Sequence, residues 1–151
     1  MTYLRLSTTI FLLIALFTVS GCTSKEKPEA GPQDKTAAPQ DQADARTAAL
    51  HVLSQLESGQ FAQIYQEASP DFKKIGTEPQ FVAKFQQALQ KTGPLKKPKE
   101  TSFATLPGKG YVLVYRLEND LFITDMRISF ARSTSGKMEL AGLNQHDEPK
   151  K

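Results

Sequence analysis

Residues 111–130 read YVLVYRLENDLFITDMRISF, and two runs of alternating character meet there around Asn119-Asp120. Tyr111, Leu113, Tyr115 and Leu117 alternate with Val112, Val114, Arg116 and Glu118. Past the turn, Phe122, Thr124, Met126, Ile128 and Phe130 alternate with Ile123, Asp125, Arg127 and Ser129. Successive side chains of a strand point to opposite faces, so a period of two marks two strands, and the tight turn makes them an antiparallel hairpin. The first run is apolar on both sides at its start, which predicts a central strand. An earlier strand falls within Glu100 to Leu106 and closes at Pro107-Gly108-Lys109-Gly110, residues that tolerate unusual backbone angles. A last strand through Met138, Leu140 and Leu143 follows the turn Ser133-Thr134-Ser135-Gly136. Residues 146–151 are polar and are expected to be a disordered tail.

Upstream of this meander the period is 3.6. Ala45, Ala48, Val52 and Leu56, with Ala49 and Leu53 beside them, form one face of a helix from Asp44 to Ser58, and Gly59 stands where a left-handed terminator is wanted. A short helix carries Phe61, Ile64, Tyr65 and Ala68 and stops before Pro70, because the residue ahead of proline is biased away from helix. Thr77-Glu78-Pro79-Gln80 has the spacing of a capping box and opens a third helix with Phe81, Phe85, Ala88 and Leu89 on its buried stripe, ended by Gly93-Pro94. Helices followed by an antiparallel sheet of four strands define an α+β domain spanning residues 44–145, with the helices packed on one face of the sheet.

The amino terminus has a different character. Arg5 precedes an apolar run from Ile10 to Phe17, and Val19-Ser20-Gly21-Cys22 follows, with Cys22 the single cysteine of the 151 residues. A charged n-region, an apolar h-region and small residues make a secretory signal over residues 1–21. The apolar stretch is shorter than the roughly 20 residues that a membrane-spanning helix needs. Val19-Ser20-Gly21-Cys22 resembles the lipobox of bacterial lipoproteins. The resemblance implies that the Cys22 thiol is diacylglycerated, that the peptide before it is removed and that the new amino terminus is acylated, so the mature protein is held to the membrane by its acyl chains. In that group an aspartate after the acylated cysteine retains the protein in the inner membrane. Thr23-Ser24 lacks it, which implies an outer-membrane destination facing the periplasm.

Residues 22–43 contain no Val, Ile, Leu or aromatic residue and are expected to be a disordered tether. The chain carries 19 Lys+Arg against 16 Asp+Glu, a net charge of +3, and loses one arginine with the signal segment. That near-neutral balance gives no reason to invoke nucleic acid. With one cysteine, no internal disulfide can form.

Leu56-Glu57-Ser58-Gly59-Gln60-Phe61, Ser69-Pro70-Asp71-Phe72, Gly93-Pro94-Leu95 and Leu106-Pro107-Gly108 followed by Tyr111 to Tyr115 resemble the pattern of a group of small bacterial envelope proteins that carry a domain of unknown function. That group has a tryptophan two residues after the last turn glycine, where this chain has Met138. The resemblance implies a cone-shaped domain, cystatin-like and similar to nuclear transport factor 2 and ketosteroid isomerase, whose curved sheet wraps a helix and can enclose a pocket.

The candidates for chemistry are few. His51 and His146 stand alone, no nucleophile elbow or phosphate-cradling glycine loop occurs, and neither a metal site nor a cofactor is expected. Asp125 has two readings: a pocket carboxylate acting as a base, or a solvent-face residue paired with Arg116 or Glu118 across the ladder. Tyr111 and Tyr115 either line a pocket mouth or pack in the core. Lys91, Lys96, Lys97 and Lys99 either meet an anionic envelope surface or form a solvated loop that discourages edge pairing. The sequence thus points to a lipid-anchored, non-catalytic binding domain whose partner is an envelope protein or an anionic envelope polymer. Its alternative is a small-molecule carrier or weak enzyme with an apolar pocket.

Overall fold

The computed structural model describes residues 38–108 and 110–151; the signal segment, Cys22 and most of the expected tether lie outside them. Helices α1 (Pro39–Glu57), α2 (Phe61–Glu67), α3 (Pro70–Lys73) and α4 (Glu78–Thr92) precede strands β1 (Lys96–Leu106), β2 (Gly110–Glu118), β3 (Phe122–Arg132) and β4 (Met138–Pro149). The strands form one antiparallel sheet in the order β1-β2-β3-β4 with the helices against it, an α+β fold. Among the described residues no helix is long and apolar enough to cross a membrane.

α1 buries Ala45, Ala49, Val52, Leu53 and Leu56, the face read from the spacing, and the chain leaves it through Gly59 at φ 69°. It begins at Pro39, inside the segment expected to be tether, because proline fits the first helical turn and Asp41 sits favourably at the positive end of the helix. α3 was not foreseen. It is a single turn in which the Ser69 hydroxyl accepts from the Phe72 amide at 3.2 Å. At α4 the expected capping box forms: the Thr77 side chain faces the Gln80 amide, and the Gln80 side chain accepts from the Thr77 amide at 2.9 Å.

On the sheet, Tyr111, Leu113, Tyr115 and Leu117 of β2 face the helices together with Thr124, Met126, Ile128 and Phe130 of β3, and all eight are buried. Residues 146–149, expected to be a disordered tail, complete β4: Ile123 pairs with Glu148 and Phe122 with Pro149. Backbone pairing needs no apolar side chain, and the Thr124 hydroxyl donates to Asp147 at 2.7 Å, which fixes this polar end. β1 likewise begins before Glu100. Lys96 pairs with Glu118 and Lys99 with Arg116, so Lys96, Lys97 and Lys99 belong to an edge strand and not to a connecting loop. Lys97 adopts φ 52° within a register shift, a break that interrupts the free edge.

Candidate binding cleft

α1 crosses the sheet with its amino-terminal end clasped to β2 and β3. The Arg132 guanidinium donates to Asp41 at 2.7 Å and Asp44 at 2.8 Å, and also to the Gly136 carbonyl; the Tyr111 hydroxyl donates to Asp41 at 2.8 Å. One turn on, Arg46 donates to both oxygens of Glu100 on β1 at 3.0–3.2 Å and lies 4.8 Å over the Phe103 ring. Beside these fasteners, with Asp44 and Gly136 of the clasp in its lining, a cleft of about 450 Å³ runs along α1, bounded by α2 and by the turn from β3 into β4. Ala48, Val52, Ile64, Phe130, Met138 and Leu140 supply its apolar surface. That volume falls in the range of small-molecule sites, about 300–1,000 Å³.

The helical wall of the cleft carries a polar cluster. Gln55 interrupts the apolar stripe of α1 and is buried, only 2% exposed. Its amide donates to Glu67 Oε2 at 3.2 Å, His51 Nε2 lies 3.3 Å from the same oxygen, and Gln63 donates to Glu67 Oε1 at 2.9 Å. These hydrogen bonds, that from Gln63 first, hold the Glu67 carboxyl below the usual carboxylate range despite partial burial. Gln55 Oε1 is buried without a partner among the described residues. Across the cleft Lys137 is exposed and forms no ion pair among the described residues. The Thr47 hydroxyl at the mouth donates to the Ala43 carbonyl at 3.0 Å, so it is not aligned with a base.

Two further cavities lie among the described residues. One of about 330 Å³ lies among Tyr65, Phe72, Phe81, Phe85 and Leu143, with the exposed Ile75 at its lip. The other, about 320 Å³, is polar and gathers Lys96, Lys97, Glu118, Asn119, Asp120 and Lys150 at the far end of the sheet.

The residues singled out from sequence do not converge on the cleft. Asp125 stands on the sheet face away from the helices, directly across the ladder from Arg116, and accepts two bonds from it at 2.8 Å. The Arg116 guanidinium holds its carboxyl below the usual range, so it is an ionised ladder residue and not a pocket base. Tyr111 and Tyr115 are core residues; burial, and then Glu100, pushes the Tyr115 phenol up to about 12. None of these three lines the cavities described above. Lys96 pairs with Asp120 at 3.0 Å and Lys91 lies 5.4 Å over the Phe122 ring, whereas Lys97 and Lys99 form no ion pair among the described residues. The cleft residues went unread because they come from three separated segments with no shared motif. The one local signal was Gln55, a polar residue between Val52, Leu53 and Leu56.

No family model matches this chain, and no curated protein matches it in sequence. The likeness to small envelope proteins therefore rests on the residues quoted for it.

Proposed function

We propose that this chain is an envelope lipoprotein, acylated at Cys22 and tethered to the outer membrane facing the periplasm, whose α+β domain binds and does not catalyse. The run Val19-Ser20-Gly21-Cys22 supports the anchor. The observation that carries the binding reading is the cleft between α1, α2 and the β3–β4 turn: apolar in its interior, with Glu67 held by Gln55, His51 and Gln63 on its helical wall and the mouth hydroxyl of Thr47 bonded to a backbone carbonyl. The cleft also favours a small-molecule carrier over a protein scaffold, and a cone-like fold of the nuclear transport factor 2 kind accommodates such a site. The lysines at the opposite end of the sheet suit an anionic envelope polymer as a second contact.

Two measurements test this reading. The intact mass of protein extracted from bacterial membranes is expected to correspond to a chain starting at Cys22 with acyl groups attached; an unmodified amino terminus ahead of Cys22 removes the anchor. Native mass spectrometry of protein purified gently from its envelope is expected to show an extra mass that leaves on unfolding, and a clean protein mass argues against the carrier.

A further inference from the structure

The two walls of the cleft have opposite chemistry. On the helical wall Glu67 is an ionised carboxylate, and beside it Gln55, 2% exposed, has a carbonyl oxygen with no donor among the described residues. A buried acceptor left unmet carries a standing desolvation cost, which a ligand donor entering the cleft that Gln55 lines would remove. On the strand wall the Lys137 ammonium has no acid partner among the described residues. Ala48, Val52, Met138 and Leu140 form an apolar floor between the walls.

We propose that the cleft takes a small zwitterion with an apolar side chain, a free amino acid or a short peptide. Its ammonium group donates to Glu67 and Gln55, its carboxylate pairs with Lys137, and its side chain covers the floor. A fatty acid would answer Lys137 and the floor but bring no donor to Gln55. An apolar amine would answer the helical wall alone. The inference rests on the binding reading above and narrows its ligand.

The test is calorimetric titration of the full chain in lipid nanodiscs with leucyl-leucine, its N-acetyl derivative and its carboxamide. Blocking either end is expected to weaken binding about tenfold, the scale of one charge-assisted hydrogen bond. Lys137→Glu is expected to abolish the penalty for amidation while leaving the penalty for acetylation. Thr47→Trp, which fills the mouth from an exposed position, is expected to abolish binding altogether. Equal binding of all three peptides, lost in Thr47→Trp, keeps the cleft as a binding site and overturns the zwitterion. Binding of octanoate in place of every peptide also overturns it, and binding that survives Thr47→Trp moves the site elsewhere.

Discussion

Two of the polar clusters on α1, the clasp and the cleft cluster, are built differently. The clasp at its amino-terminal end joins α1 to the sheet: Arg132 spans Asp41 and Asp44, and Tyr111 closes the ring from β2. The cluster two to three turns past Asp44 joins α1 only to α2: Gln55 and His51 meet Glu67, and one buried oxygen has no partner among the described residues. In the clasp two carboxylates answer one guanidinium, although its buried Nε has no partner. In the cleft, polarity is spent where a hydrocarbon would pack as well. A polar group that joins distant segments has a role in the fold; one that is buried, locally bonded and incompletely satisfied calls for another explanation, and the binding proposed above is one.

Cutting the clasp is the strongest way to break this contrast. Arg132→Met strands Asp41 and Asp44 and leaves the Tyr111 hydroxyl as the clasp's remaining link across α1 and the sheet. It is expected to give the largest drop in denaturation midpoint of any variant considered, read by urea unfolding. A second effect lies in alkaline solution. Tyr115 has its pKa raised from 10.0 to about 12, so the folded state favours the neutral phenol. Its contribution is complete below pH 10 and is lost as pH rises from 10 towards 12, a change of about 3 kcal/mol for a two-unit shift. Tyr115→Phe removes that alkaline limb and costs under about 1 kcal/mol at neutral pH, because the bond to Glu100 is long, 3.4 Å.

The cleft cluster is expected to respond with the opposite sign. Gln55→Leu loses one amide bond to Glu67 but also removes the unmet carbonyl, so stability is expected to rise by about 1 kcal/mol while ligand binding falls. A loss of several kcal/mol would place Gln55 with the clasp and erase the distinction. The smallest effect belongs to Asp125→Asn, which disturbs a partly exposed ladder pair; it is expected to change stability by under about 1 kcal/mol and binding not at all.

Much of the fold was legible in side-chain periodicity. The alternation through residues 111–130 located the central hairpin, the stripes from Ala45 to Leu56 and from Phe81 to Leu89 located the two long helices, and Gly59 and Gly93 both take positive φ where a terminator was expected. What escaped was structure held by the backbone or by contacts between distant segments. Residues 146–149 and Lys96 pair as edge strands without apolar side chains, so no periodicity announced them. The first turn of α1 owes its position to Arg132, 91 residues beyond Asp41. Asp125 drew attention as an acid amid apolar neighbours, but its cross-strand partner Arg116 was the more local explanation.

The placement of the clasp has a mechanical consequence. α1 opens at Pro39, where Asp41 is tied to Tyr111 and Arg132, whereas the lysines of β1 lie at the other end of strands about 30 Å long. Any pull applied through the amino-terminal segment reaches Asp41 and Asp44 before it reaches the core. The load is then shared with β2 and β3, the inner strands of the sheet, and the free edges at β1 and β4 are spared. The opening turn of α1 is thus fastened to the inner strands and not to an edge.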